Sequence, residues 1–467
     1  MSKSDEIVDA RAERRKNMAR KPSPRVRRGS SDRMKVSVAA LVDLIRHPGS
    51  GGHVKAWERF ADAATRFPDD LDLTVYYLGD GISETQLSPN VRLRTVPPAF
   101  GTASLPWLRN GGGDTDLASY NPHLARQLLE HDVFHATSSF AFAKTASVIA
   151  KTHGRPLVSS LHTDAAKFAK VYTGEIIERL IGPSMLSRWL IDGVGLPDRS
   201  ARNLTRARDR MLAASDHILI SDPEDERHLR ALLPVPHISY LRRGIDKTLF
   251  TPENRDRRWL QERFGIPINC PVLLFAGRVD ESKRVLTAAR AARRLLDQGV
   301  ELQLVIAGKG AEQKTIAEML GERGTLTGNL AQRDLAKLMA SSDLFVFPSE
   351  SEIVCNVVIE AKASGLPVIV TGGATTSQLI EMPGIDGIVT RDGSLPSYVE
   401  TIAELLRRPD ERLQIARKAR DSIEMSWPDW ADVLAEDLLP VWRSMKARHG
   451  ARRQPADSEV PDPFALR

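Results

Sequence analysis

The chain is poor in cysteine and has no long apolar segment. Its 467 residues include only two cysteines, Cys270 and Cys355, and neither belongs to a CxxC pattern. Zinc and iron–sulfur sites draw on several cysteines at fixed spacing, so neither kind of metal centre is expected. No run of 18 apolar residues is present, which argues against a membrane-spanning helix, and the N-terminus lacks the apolar core of a signal peptide. We therefore expect a cytoplasmic protein with reduced thiols.

Net charge is absent from most of the chain. The formal charge is +6, but residues 1–33 hold 11 Lys/Arg against 5 Asp/Glu, and the remainder holds 55 of each sign. We predict that residues 1–33 form a disordered basic tail. The tail attaches the protein to the anionic inner face of a membrane, at about 1 kcal/mol per basic residue, or is simply solvated, or results from a misassigned start codon with Met34 as the true beginning. The balanced remainder gives no reason to expect a nucleic-acid partner.

From Lys35 onward, short apolar strands alternate regularly with helical segments. This alternation predicts an α/β protein with two doubly wound parallel sheets. The predicted strands are 36–42, 71–78, 91–96, 132–135, 156–161, 217–220 and 237–241, followed by 272–276, 302–307, 325–327, 344–347, 368–371 and 387–390. The expected divisions are a domain at 34–243, a domain at 244–426, a last helix at 427–445 packed through its tryptophans, and a flexible tail at 446–467.

Four loops of the second series carry residues that suit an anion. Arg278 and Lys283 follow a strand and open a helix, whose dipole also favours negative charge. Gly308 follows the next strand and lets backbone approach a ligand. Because the carboxyl ends of parallel strands share one edge of a sheet, we expect the four loops to meet at a crevice for a phosphate-rich ligand. The loops are residues 277–283, 307–310, 348–367 and 371–374.

Two carboxylates of the third loop are eight residues apart. On one continuous helix this spacing would rotate Glu352 and Glu360 about 80° from each other. They would share a ligand better with Glu352 in the loop after the strand and Glu360 inside a helix, which we predict at 355–363.

Together these motifs resemble the GT-B retaining glycosyltransferases of family four, which share an E-x7-E motif. The resemblance covers residues 35–445. The segment that begins at His162-Thr163-Asp164 is especially similar to that of bacterial mannosyl- and glycolipid-forming transferases. It implies two Rossmann-like domains that face a central cleft, with the helix at 427–445 crossing back to the first, acceptor-side domain. The matching residues are Gly51-Gly52, His162-Thr163-Asp164, Arg243-Gly244-Ile245-Asp246, Gly277-Arg278 with Lys283, Glu352, Glu360 and Gly365-Leu366-Pro367.

The resemblance also implies a role for each motif around a nucleoside diphosphate sugar. Arg278 and Lys283 would bind the diphosphate and stabilise the leaving group in place of a metal, so neither a metal nor another cofactor is expected. Glu360 would bind the ribose, and Glu352 would contact the donor hexose. His162 would form a hydrogen bond with the sugar near the reacting carbon, unless its hydrogen bonds are made to neighbouring backbone instead. The remaining donor-binding positions are Gly51, Gly52, Gly308, Val354, Cys355 and Asn356.

The expected reaction is transfer of a hexose, with retention, from a GDP-mannose or UDP-glucose type of donor to a hydroxyl of a glycolipid or polysaccharide precursor. Two alternatives stay open. One is a sugar-nucleotide epimerase on the same fold. The other is a binding protein without catalysis, because Ile353-Val354-Cys355 stands where the family usually has Gly-Phe-Gly.

Overall fold

Two compact units divide the chain. The computed structural model describes residues 34–47, 52–101, 115–161, 182, 184–221, 223–233, 237–350 and 355–453. Within these, the first unit contains residues 34–242 and 431–453, and the second unit is Arg243–Trp430.

The first unit is built on an eight-stranded sheet in the order β3-β4-β2-β1-β5-β6-β7-β8. Its neighbouring strands are parallel, except that β3 and β4 form an antiparallel pair. The predicted strands are confirmed, but β3 was not predicted because its sequence SETQLS is polar and largely exposed. The strands are β1 (Val36–Ile45), β2 (Leu71–Leu78), β3 (Ser83–Ser88), β4 (Val91–Val96), β5 (Val133–Ala136), β6 (Leu157–Ser160), β7 (His217–Ile220) and β8 (Ile238–Tyr240).

Helices of the first unit bury apolar residues at helical spacing. In the helix Gly52–Ala64, for example, Val54, Trp57, Phe60 and Ala61 are buried. The other helical segments are Pro122–Leu128, Ala141–His153, Met185–Arg188, the π-helical turn Trp189–Gly193, Leu196–Ala213 and Pro223–Leu232.

The last helical segments carry the chain back into the first unit. Trp430–Val433, the π-helical turn Leu434–Leu438 and Leu439–Arg453 follow one another directly. Trp442 is fully buried, as predicted, and its Nε1 donates to Nδ1 of His135 at 3.0 Å. The helix runs beyond residue 445, where we expected a flexible tail to begin. Lys446 holds this extension, because its Nζ donates to the carbonyl of Lys35 at 2.8 Å and pairs with Asp132 at 2.7 Å.

The second unit is built on a six-stranded sheet in the order β11-β10-β9-β12-β13-β14, with every neighbouring pair parallel. The chain order reverses between β9 and β12, and open α/β sheets bind ligands at such a switch point. The strands, all predicted, are β9 (Val272–Ala276), β10 (Gln303–Ala307), β11 (Gly324–Gly328), β12 (Leu344–Phe347), β13 (Val368–Val370) and β14 (Ile388–Val389).

Helices cover both faces of this sheet, and their apolar sides join one core with the buried strands. The α-helices are Arg257–Phe264, Val285–Asp297, Gln313–Leu320, Gln332–Ser341, Asn356–Ala363, Leu395–Arg407 and Pro409–Ser426. The 3₁₀ turns are Pro252–Asn254, Glu281–Lys283, Gly321–Arg323 and Thr375–Leu379. None of the helices in the described part of the chain combines the length and the apolarity that crossing a membrane requires.

Candidate functional site

The loops that follow β9 and β10 run side by side past the ends of their strands. Gly277 N–H donates to the carbonyl of Ala307 at 2.9 Å, and Val279 N–H donates to the carbonyl of Lys309 at 3.0 Å. A Cβ on Gly308 would lie 1.8 Å from the carbonyl oxygen of Gly277. Gly308 is therefore required for the contact between these two loops, in addition to any approach to a ligand.

The loop after β12 is held in place by threonines of the loop after β13. Thr371 Oγ1 donates to the carbonyl of Pro348 at 3.0 Å, and Thr376 Oγ1 donates to that of Ser349 at 3.2 Å. The N–H of Thr375 donates to the carbonyl of Glu350 at 3.4 Å. Three consecutive carbonyls are thus bonded in the residues that lead directly to Glu352.

An ion pair then joins the two sides of the switch point. The guanidinium of Arg284, just after the β9 loop, pairs with the carboxylate of Glu350 in the β12 loop. The four predicted loops are therefore linked along one edge of the second sheet. Neither residue of this pair was singled out from the sequence, because only the fold brings positions 66 residues apart into contact.

The two cations expected to bind phosphate lie on the loop after β9. The Arg278 side chain is 60% exposed; its guanidinium lies 3.3 Å from Asp280 and donates to Ser282 Oγ at 2.8 Å. Lys283 ends the 3₁₀ turn Glu281–Lys283 and is half-buried. The exposed arginine and the half-buried lysine at this edge can both exchange their local partners for an anionic ligand.

The helix expected to carry Glu360 forms at Asn356–Ala363, one residue later than predicted. Cys355 precedes it, is 4% exposed, and offers no side-chain cap to the helix N-terminus. Glu360 lies inside the helix and is half-buried, as the spacing argument required. Glu352 and Val354 lie outside the described residues.

A buried ion pair between Lys362 and Asp386 anchors the helix Asn356–Ala363. Lys362 is 1% exposed, and its Nζ lies 2.8 Å from Asp386 and 2.9 Å from the carbonyl oxygen of Leu379. Asp386 also accepts the N–H of Met382 at 2.9 Å. The sequence carried one signal for this pair, namely a lysine among the apolar residues of a short helix.

A buried tyrosine, Tyr398, lies beside the β13 loop. Its hydroxyl lies 2.8 Å from Thr371 Oγ1, and desolvation raises the pKa of Tyr398 to about 12. Among the described residues, no group of three or more His, Cys, Asp or Glu side chains could hold a metal ion.

In the first unit, the order of the strands reverses between β1 and β5, so its own switch point lies at their carboxyl ends. His53 Nε2 lies 2.9 Å from Thr137 Oγ1 at this edge. Asp43 is fully buried and accepts the N–H of Phe142 at 2.9 Å. Burial, opposed by this hydrogen bond, raises the pKa of Asp43 to about 7. Sequence reasoning did not single out these side chains.

Three of the remaining predicted positions relate to the first unit. Gly52 begins the helix Gly52–Ala64. Gly51 and His162 lie outside the described residues.

Comparisons with known proteins bear on both units. Residues 256–422 match the family model described as Glycosyl transferases group 1. A D-inositol 3-phosphate glycosyltransferase 1 from Catenulispora acidiphila is 25% identical over 452 residues, which cover 92% of this chain and 99% of that relative. A GDP-mannose-dependent alpha-mannosyltransferase from Mycolicibacterium smegmatis is 28% identical over 326 residues, which cover 69% of this chain and 76% of that relative.

A solved structure shows the same fold. The crystal structure of Anabaena HepE in complex with UDP and glucose matches with a TM-score of 0.61 and 16% identity, covering 88% of this chain and 100% of HepE. The chain has the GT-B fold, which consists of two parallel-sheet α/β units.

Proposed function

We propose that this protein, which has the GT-B fold and a glycosyl transferases group 1 domain at residues 256–422, transfers a hexose from a nucleoside diphosphate sugar to a hydroxyl acceptor. The convergence of the β9, β10, β12 and β13 loops at one edge of the second sheet carries the proposal, because that edge lies within the matched domain. One relative is named for GDP-mannose and one similar structure contains UDP and glucose, so both donor types are candidates.

The leaving group would be stabilised by the cations of the β9 loop. As the bond between the hexose and the diphosphate breaks, negative charge grows on the phosphate oxygens. Arg278 and Lys283 would offset this charge, and Arg278 is exposed enough to leave Asp280 for the phosphate. These cations would do what a metal ion does elsewhere, so the proposed reaction needs no metal.

The helix Asn356–Ala363 would hold the rest of the donor. Backbone N–H groups of Val354, Cys355 and Asn356, which lead into the first turn in the sequence, would bind the sugar and the distal phosphate with the support of the helix dipole. Glu360 would accept hydrogen bonds from the ribose hydroxyls. Glu352 would contact the hydroxyls of the hexose.

We further propose that the anomeric configuration is retained. A double displacement would need a carboxylate nucleophile, and the proposed role of Glu352 is binding. In a front-face displacement the departing phosphate oxygen takes the acceptor proton instead. His162 would form a hydrogen bond with the sugar near the reacting carbon. The backbone at Gly51 and Gly52 would close over the diphosphate.

The acceptor we propose is a glycolipid or polysaccharide precursor, reached from the cytoplasm. Residues 1–33 hold 11 basic against 5 acidic residues, which favours an acceptor at an anionic membrane surface.

A donor panel tests the proposal. The purified protein is mixed with UDP, GDP and ADP in a thermal-shift screen, and then with GDP-mannose or UDP-glucose and candidate acceptors. We expect one base to raise the melting temperature and free nucleoside diphosphate to form only when acceptor is present. NMR of the product should show the anomeric configuration of the donor, and a chelator should leave the rate unchanged.

The ribose role is tested by Glu360→Ala. Loss of a carboxylate that accepts two hydroxyl hydrogen bonds should raise the dissociation constant of the nucleoside diphosphate at least about tenfold. The matched control is Glu404→Ala, which removes a half-exposed carboxylate from the helix Leu395–Arg407. Equal affinities for the wild type and Glu360→Ala would contradict the ribose role.

The same panel separates the alternatives. An isomerised nucleotide sugar without acceptor would identify an epimerase. Tight binding with no turnover on any acceptor would identify a regulatory binding protein, in keeping with Ile353-Val354-Cys355 in place of smaller residues.

A further inference from the structure

Arg284 has an unusual backbone conformation at the edge where the donor is proposed to bind. Its φ and ψ are 52° and 33°, and it is the single non-glycine residue with positive φ among the described parts of the chain. This left-handed region is normally left to glycine, because a Cβ crowds the following carbonyl there. Its N–H donates to the carbonyl of Glu281 at 2.9 Å, and its own carbonyl accepts from Thr287 at 2.9 Å. Arg284 therefore closes the turn that presents Lys283 and opens the helix Val285–Asp297.

The side chain of Arg284 occupies a site formed by two other loops. Its Nη1 pairs with the carboxylate of Glu350, and its Nη2 donates to the carbonyl of Gly393 at 2.9 Å. A Cβ on Gly393 would lie 2.8 Å from that Nη1 and 2.9 Å from Glu350 Oε1. The guanidinium thus joins the loops after β9, β12 and β14.

Both ends of the pair lie next to residues of the proposed reaction. Arg284 directly follows Lys283, and Glu350 precedes Glu352 by two residues. The carbonyl of Glu350 is also held by the N–H of Thr375. The side chains are 31% and 57% exposed, so the pair contributes little to folding by charge alone.

We infer that Arg284 and Glu350 are positioning residues that set the separation between the Lys283 loop and the Glu352 loop, and that Arg284 also neutralises a carboxylate that would otherwise repel the donor diphosphate. This inference rests on the proposed function and adds two residues to it. Neither residue needs to touch the donor.

The two halves of the inference predict different effects for two variants. Glu350→Gln keeps the size of the side chain but removes its charge, so kcat should fall between about tenfold and about a hundredfold while donor affinity is kept. In Arg284→Gly, the glycine adopts the positive φ without strain, but Glu350 loses its ion-pair partner. This variant should lower kcat to a similar extent and also weaken binding of the nucleoside diphosphate about tenfold.

The double variant Arg284→Gly/Glu350→Gln distinguishes this role from a merely structural one. Affinity for the nucleoside diphosphate should return to within about twofold of the wild type, because no unpaired carboxylate remains. The loss in kcat should be no greater than that of the worse single variant, as expected when two residues act through one interaction. The control variants are Arg293→Gln and Asp297→Asn, on the exposed side of the helix Val285–Asp297. They should change neither the affinity for the nucleoside diphosphate nor kcat.

The measurements are titration calorimetry with UDP and GDP and the initial rate with the donor and acceptor found in the panel. Circular dichroism checks that each variant folds, and if Arg284→Gly does not, Glu350→Gln carries the test of kcat. Wild-type values in both single variants, or additive losses in the double variant, overturn the inference and leave the proposed function standing. A wild-type protein that neither binds nor uses any nucleotide sugar overturns both.

Discussion

Replacing Lys362 with methionine should destabilise the second unit by about 3–5 kcal/mol. Methionine keeps the apolar stem of the lysine but removes the ammonium group that lies 2.8 Å from Asp386. Asp386 is 0% exposed and would be left as a buried carboxylate that accepts only the N–H groups of Glu381 and Met382 among the contacts described for it. Breaking a buried pair in this way is costly because the remaining charge has lost both water and its counter-charge.

Removing both charges should be much less damaging than removing one. Asp386→Asn alone leaves the ammonium of Lys362 buried beside a neutral amide and the carbonyl of Leu379, so we expect a loss similar to that of Lys362→Met. In the double variant no buried charge remains, and the asparagine oxygen can still accept one backbone N–H. The double variant should therefore lie within about 1–2 kcal/mol of the wild type.

Calorimetric unfolding measures these effects. In a unit of this size, each kcal/mol shifts the melting temperature by about 2–4 °C, so each single variant should melt roughly 10 °C lower. The control is Lys314→Met, since Lys314 is 87% exposed and lies 3.8 Å from the 67% exposed Glu318. It should stay within about 0.5 kcal/mol of the wild type.

Two results would refute this reasoning. A loss below about 1 kcal/mol for Lys362→Met would mean that Asp386 finds solvent or another counter-charge. Additive losses in the double variant would mean that the two side chains stabilise the unit independently.

Three further outcomes are expected. Gly308→Ala should weaken nucleoside diphosphate binding by at least about tenfold in titration calorimetry, because its Cβ would meet the carbonyl oxygen of Gly277 at 1.8 Å. Burial lowers the pKa of His135 from 6.5 to about 3, so the wild type should lose up to about 1.4 kcal/mol per pH unit relative to His135→Gln as pH falls below 6.5, in urea unfolding followed by circular dichroism. Burial raises the pKa of Asp43 to about 7, so the wild type should lose stability relative to Asp43→Asn as pH rises from about 4 to 7. For either residue, a difference in unfolding free energy between wild type and variant that does not change with pH would contradict the prediction.

The two hydrogen bonds of His135 favour the neutral imidazole, as its burial does. The indole Nε1 of Trp442 can only donate, so Nδ1 of His135 must be unprotonated, and the proton on Nε2 points to Ser160 Oγ at 2.8 Å. A second proton would face the indole N–H. The unfolded chain has no such restriction and takes up the proton at a higher pH.

The positions of several candidate site residues in the fold could be predicted from local sequence. Arg278, Lys283 and Gly308 were singled out because each follows a buried strand, and the strands formed where the apolar runs predicted them. Glu360 lies within a helix, as its spacing from Glu352 suggested. The structure adds a second reason for glycine at position 308, namely its close contact with Gly277. The sequence does not show this contact, because Gly277 follows a different strand, β9.

The sequence by itself determined the strands and helices that carry an apolar pattern, which excludes the polar β3, because apolar periodicity is a local property that each segment carries alone. It also determined which loops follow the strands of the second sheet. Only the tertiary structure decided that β9 and β12 flank a switch point, that Arg284 meets Glu350, and that Lys362 meets Asp386. Each of these contacts joins positions far apart in the chain, and a charged residue does not reveal its partner until packing has excluded water and brought the two together.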